Sequence, residues 1–145
     1  MTLRVLLADD HEIMRQGLRL LLEKHSDMEV VAEANNGQEA IELADQLKPD
    51  VVVMDVNMPG VDGPDATRRI VSDKPDTRIV ALSMHSKKGF IIEMLKAGAL
   101  GYVLKENAFS ELVNAINTVM GNEIYLSSKI TRIVVDDYVQ DQGKT

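Results

Sequence analysis

The chain contains no cysteine. That removes disulfide frameworks, thiol nucleophiles and thiolate zinc sites together, and it fits a cytoplasmic protein. Long hydrophobic runs are also missing: the apolar opening stretch covers about six residues and ends at Asp9-Asp10, far short of the roughly 20 that a membrane span needs. No segment reads as a targeting signal. Positive charge is in short supply, with 16 Lys and Arg against 23 Asp and Glu, and the net charge of −7 argues against non-specific binding to nucleic acid or to an anionic membrane. The three histidines, His11, His25 and His85, show no metal-ligand spacing; His11 and His25 read as ordinary helix-end residues and His85 as a loop residue. Internal repeats and low-complexity tracts are absent. What remains is one ordinary domain of 145 residues, 45% hydrophobic, large enough to bury a core without staples.

Within it, short apolar runs alternate with amphipathic stretches. Leu3 to Ala8, Met28 to Ala34, Val51 to Met54, Thr77 to Leu82 and Leu100 to Leu104 read as buried strands. Between and after them, His11 to His25, Gln38 to Leu47, Pro64 to about Ser72, Lys87 to Ala97 and Ala108 to Met120 carry helical spacing, with Pro64 suited to a first turn and Gly98 to a left-handed cap. Five strands alternating with five helices predict an α/β fold, a parallel sheet covered on both faces with right-handed crossovers. After Gly121 the pattern changes. Asn122 to Ser128 reads as irregular, Lys129 to Val139 as a sixth, peripheral helix with Ile130, Ile133, Val134 and Tyr138 on one stripe, and Gln140 to Thr145 as a fraying tail.

Chemistry-bearing residues recur at one end of the strands: Asp9 and Asp10 after the first, Asp55 after the third, Ser83 after the fourth and Lys105 after the fifth. In a parallel sheet these ends share the edge where open α/β folds bind ligands. Clustered carboxylates form the hard oxygen set that Mg²⁺ prefers, and an ammonium beside them can receive a phosphoryl group. Asp55 would then be a nucleophile forming an aspartyl phosphate. Each residue also has a plainer use. Asp10 could cap the first helix, Ser83 could cap the fourth, and Lys105 could reach solvent. Asp55 is harder to explain so, because a charge directly after four buried apolar residues is costly unless paired or functional.

Asp9-Asp10, the segment Val53 to Gly60, Ser83, and the segment Ala97 to Lys105 together resemble the receiver domain of bacterial two-component response regulators, over roughly Leu3 to Met120. The resemblance implies a doubly wound, flavodoxin-like sheet of order 2-1-3-4-5. It implies Asp55 as phospho-acceptor for a sensor histidine kinase, Mg²⁺ held by Asp10, Asp55 and the main-chain carbonyl of Asn57 with Asp9 acting through water, and Ser83 and Lys105 holding phosphoryl oxygens. Ser83 and Tyr102 would form the switch, the ring turning inward on phosphorylation. Such a protein takes up and loses a phosphoryl group without being a turnover enzyme, and it dimerises when phosphorylated.

Gly101 to Lys105 and Gly121 to Ser127 further resemble the subgroup whose receivers precede a LuxR-type helix-turn-helix. The expected organisation is a receiver over residues 1–121 and a linker segment over 122–145, as an excised part of a transcription factor, with DNA reached only through the effector domain; the alternative is a stand-alone receiver acting through protein contacts. A flavodoxin-like cofactor carrier fits poorly, since Asp9-Asp10 would repel phosphate after the first strand. A phosphatase of the haloacid-dehalogenase type wants an acid where Asn57 stands.

Overall fold

The computed structural model describes residues 2–143. Six strands form one sheet: β1 (Leu3–Ala8), β2 (Met28–Ala34), β3 (Val51–Asp55), β4 (Arg78–Ser83), β5 (Gly101–Leu104) and β6 (Tyr125–Leu126). Their order is β2-β1-β3-β4-β5-β6, every pairing is parallel, and the expected 2-1-3-4-5 core is intact with one strand added at its edge. The helices are α1 (Glu12–Glu23), α2 (Gly37–Leu47), α3 (Gly63–Asp73), α4 (Lys88–Ala97), α5 (Ala108–Met120) and α6 (Ser128–Gly143), with a single 3-10 turn at Lys105–Asn107. Among the described residues no helix is long and apolar enough to cross a membrane.

Alternate residues of a strand face opposite sides, so the continuous apolar runs feed two cores. Val5, Leu7, Val53, Leu82 and Val103 pack with Leu18 and Leu22 of α1 and with Leu112 and Ile116 of α5. Leu6, Val52, Met54, Ile79 and Tyr102 pack with Ala40 of α2, Ala66 and Ile70 of α3, and Ile91 and Met94 of α4. Local chemistry sets the helix ends. Asn36 Oδ1 accepts from the Glu39 N–H at 2.8 Å, Asp62 Oδ1 accepts from the Asp65 N–H at 3.0 Å ahead of Pro64, and Gly98 closes α4 at φ 116°.

The segment expected to be irregular contains β6, for a reason that lies in its neighbour. β5 would otherwise present a bare edge. The Leu100 and Tyr102 carbonyls there accept from the Tyr125 and Ser127 N–H groups at 3.0 and 3.1 Å. Glu111 on α5 anchors the strand by accepting from the Tyr125 hydroxyl at 2.7 Å and the Ser127 hydroxyl at 3.1 Å. Burial and the Glu111 carboxylate together push the Tyr125 phenol up to about 12.

α6 is longer than the expected Lys129–Val139 and takes in Gln140 to Gly143 from the tail read as fraying; Lys144 and Thr145 lie outside the described residues. It packs on α4 through fully buried Ile130 with Ile133 and Val134, and Lys88 pairs with Asp137 at 2.8 Å. Tyr138, expected on that stripe, instead faces solvent.

Candidate functional site

The strand ends converge as the alternation demands. β3 lies between β1 and β4, which places Asp9, just past β1, beside Asp55, the last residue of β3. Both carboxylates are buried, at 2% and 3% exposure, and Lys105, directly after β5, is buried with them. Its Nζ lies 2.9 Å from Asp9 Oδ2 and 3.2 Å from Asp55 Oδ2. One ammonium therefore serves two buried acids, and that imbalance shapes their ionisation. Burial raises the Asp55 carboxyl and the neighbouring Asp9 charge raises it further; Lys105 and the Asn57 N–H, which donates to Asp55 Oδ1 at 3.2 Å, oppose this, and the net result is a carboxyl pushed up to about 7. Burial also raises Asp9, but the His11 backbone N–H at 2.8 Å, Lys105 and the His11 ring outweigh it and hold Asp9 below its ordinary value.

Asp10 is exposed and, contrary to the plain reading, caps nothing: the N-cap position of α1 is His11, whose side chain makes no capping bond. The Asp10 carboxylate turns toward the cluster instead, with Oδ1 3.2 Å from His11 Nδ1. One donor atom from each of Asp9, Asp10, His11 and Asp55 lies within 4.8 Å of all the others. Asp9 Oδ2 is buried against the Lys105 ammonium at 2.9 Å, the ion it shares with Asp55. Three carboxylates gathered around one ammonium, a largely oxygen donor set, fit a hard divalent cation.

Ser83 is buried and does not cap α4, whose N-cap is Lys87. Its hydroxyl accepts from the His85 N–H at 2.9 Å and donates to the His85 carbonyl at 3.2 Å. Tyr102 is fully buried and donates to the same carbonyl at 3.3 Å. The aromatic ring expected to turn inward is already inside. Burial raises its phenol. The His85 ring stacks on Phe90 with centroids 5.7 Å apart, tying the β4–α4 loop to α4.

Two contributors escaped the reading by residue type. His11 reads as a plain helix-end residue, yet its Nδ1 lies 2.9 Å from Asp9 Oδ1 and 3.1 Å from Lys105 Nζ. Its place directly after two acids was the available signal. The second is Gly63, the first residue of α3. A Cβ there would lie 2.5 Å from the Asp55 carbonyl oxygen and 2.7 Å from the Val56 Cα, so only glycine lets α3 start against the end of β3. Gly63→Ala is expected to cost about 1–3 kcal/mol in urea denaturation, because the obstructing atoms are backbone and cannot rotate away. An unchanged midpoint would show that α3 slides without strain.

The profile of the response regulator receiver domain matches residues 5–117. The chain belongs to this family. It is similar to the transcriptional regulatory protein DegU of Brevibacillus brevis, at 35% identity over 136 residues that cover 94% of this chain and 58% of DegU. Among solved structures, a two-component response regulator of the LuxR family from Aurantimonas sp. SI85-9A1 superposes with a TM-score of 0.90 at 38% identity, covering 96% of this chain and 99% of the other. The isolated receiver domain of RcsB from Salmonella enterica serovar Typhimurium, determined with the phosphomimetic BeF₃⁻, superposes with a TM-score of 0.83 at 26% identity over 92% and 99%. The chain spans 58% of DegU and 66% of the oxygen regulatory protein NreC of Staphylococcus carnosus. The receiver thus has Asp9, Asp10, Asp55, Ser83 and Lys105 on the edge where the sequence pattern expected them.

Proposed function

We propose that this receiver domain accepts a phosphoryl group on Asp55 from a sensor histidine kinase, in a Mg²⁺-dependent step, and thereby controls dimerisation and an attached LuxR-type DNA-binding module. The observation that carries this reading is the single Lys105 ammonium held between two buried carboxylates at the sheet edge. An Asp55 oxygen attacks phosphorus, the bond to the donor nitrogen breaks, and an acyl phosphate remains on Asp55. Asp10, Asp55 and the Asn57 main-chain carbonyl would hold Mg²⁺ with Asp9 acting through water; when bound, it neutralises charge gathering on the phosphoryl oxygens.

Lys105 receives one of those oxygens and must loosen its hold on Asp55 to do so. The Ser83 hydroxyl leaves the His85 backbone to meet another, and the loop it held passes the change to α4 through Phe90 and to the buried Tyr102. The protein is altered by this chemistry and is not a turnover enzyme. A recess of about 640 Å³ opens beside His11 and Lys105, walled by Ile13, Met84 and Phe109, all exposed; it gives a kinase's phosphohistidine apolar footing next to the nucleophile. A cytoplasmic place of action follows from such a donor, and the similarity to a transcriptional regulatory protein supports the DNA-linked output.

Incubating the chain with acetyl phosphate is expected to add one phosphoryl group by intact mass, with Mg²⁺ present and not with EDTA. Sedimentation of the same sample should shift from monomer toward dimer. Absence of any mass gain in Mg²⁺ would overturn the phospho-acceptor reading.

A further inference from the structure

Arg15, on α1, is buried, which is uncommon for a guanidinium, and the phosphoryl chemistry makes no use of it. Its fork meets two acceptors. Nε donates to Glu33 Oε1 on β2 at 3.1 Å, and Nη1 donates to the Asp9 main-chain carbonyl at 2.5 Å. That carbonyl belongs to the rigid peptide unit that joins Asp9 to Asp10. The unit before it is held as well, since the Asp9 N–H donates to the Ala34 carbonyl at 3.1 Å. With both peptide planes anchored, the chain leaves β1 in one direction and the Asp10 backbone is set in place.

Asp10 depends on such support. Asp9 and Asp55 are buried and gripped by Lys105, whereas the Asp10 carboxylate is exposed, with the His11 ring at 3.2 Å as its charged neighbour among the described residues. An exposed carboxylate of this kind takes its position from the backbone beneath it.

We propose that Arg15 is a positioning residue for the cation site of this receiver: braced on Glu33, it holds the Asp9–Asp10 peptide and thereby presents Asp10 to the metal. The proposal rests on the Mg²⁺ reading above and adds an outer partner to it. Removing partners of this kind costs about 10–100-fold in metal affinity. The direction of the effect separates bracing from charge. Arg15 is a cation beside the acids, so by charge alone its loss would strengthen Mg²⁺ binding, whereas loss of the brace weakens it. Arg19 supplies the control, because it carries the same charge on the same helix and donates to Glu33 Oε2 at 2.8 Å, while its other hydrogen bond goes to Glu23.

Calorimetric titration of the full chain with Mg²⁺, alongside Arg15→Met, Arg15→Lys and Arg19→Met, tests it. Arg15→Met removes both donors, and Arg19 remains to pair with Glu33. Arg15→Lys guards against a failure to fold: it keeps the charge, but its single nitrogen is drawn to the Glu33 carboxylate in preference to the neutral carbonyl. Mg²⁺ binding is expected to weaken about tenfold in Arg15→Met and at least about threefold in Arg15→Lys, and to stay within about twofold in Arg19→Met. In acetyl phosphate uptake the half-saturating Mg²⁺ concentration should rise by the same factors with the rate at saturating Mg²⁺ unchanged, a split that a smaller folded fraction would not produce. Unchanged or tighter Mg²⁺ binding in a folded Arg15 variant would overturn the proposal. So would an equal loss in Arg19→Met, which would place the effect in Glu33 and the packing of α1 on β2. Failure of the unaltered chain to bind Mg²⁺ at all would instead overturn the Mg²⁺ reading under the proposed function.

Discussion

Asp55→Asn is expected to abolish phosphoryl uptake and, in metal-free solution at pH 8, to make the protein harder to denature. The first effect follows from the loss of the attacking carboxylate. The second follows from where that carboxylate is kept. Asp55 is buried beside Asp9, and its carboxyl is pushed from about 3.9 in an unfolded chain up to about 7 in the fold. The folded state therefore holds this proton more tightly, and stability falls as pH rises through that window, by about 1.4 kcal/mol per pH unit. Above pH 7 the full penalty is present; below about pH 4 both states carry the proton and it vanishes. The amide never ionises. Urea denaturation in EDTA should find the variant about 2–4 kcal/mol more stable at pH 8 and level with the parent near pH 4. Equal stability at pH 8 would mean that Lys105 already neutralises Asp55 in full.

Lys105→Met is expected to have the opposite sign, although it breaks the same ion pair. Lys105 is the ammonium between two buried acids, 2.9 Å from Asp9 and 3.2 Å from Asp55. Its removal leaves both without their cation, a change that costs about 3–5 kcal/mol when a buried partner is lost. The lysine lowers Asp9 and opposes the rise of Asp55, so without it both carboxyls shift upward. The loss should accordingly be greatest at pH 8 and shrink as the acids take up protons. Millimolar Mg²⁺ should return part of it, by supplying positive charge where the ammonium stood. Thermal melts with Mg²⁺ and with EDTA check both points. A melting temperature unmoved by the substitution would show that the acids are solvated rather than buried. Phosphoryl uptake should fall with the lost contact to the phosphoryl oxygen.

The two substitutions differ because the site is built with one cation too few, and that excess of negative charge is the property that suits it to a metal ion and to transient charge. It also explains why the convergence was legible in advance. Asp9, Asp55, Ser83 and Lys105 each follow an uninterrupted apolar run, and a buried parallel strand has only one polar exit at its carboxyl end. His11 carried no such mark. Its role depends on the extended backbone at ψ 100° that opens α1 and brings the ring back over the two acids, a conformation that residue type does not encode. Gly63 was equally silent, since its need for a missing Cβ arises from the backbone of β3, a neighbour that no local pattern names.

The amino-acid order alone determined the alternation of strands and helices, the two-sided burial of the sheet and the edge on which the acids gather, because hydrophobic period and strand polarity are local properties that survive into any compact packing. Tertiary structure alone decided the rest. β6 exists because the edge of β5 needs donors, and α6 runs through the expected tail with Ile130 buried against the α4 side of the core. Tyr102 lies inside because the His85 carbonyl, 17 residues away, accepts its hydroxyl. His11 joins the acid cluster because Lys105, 94 residues distant, meets it from β5. Each of these rests on a donor or surface supplied by a different segment of chain, and such pairings come into being only when the segments are packed together.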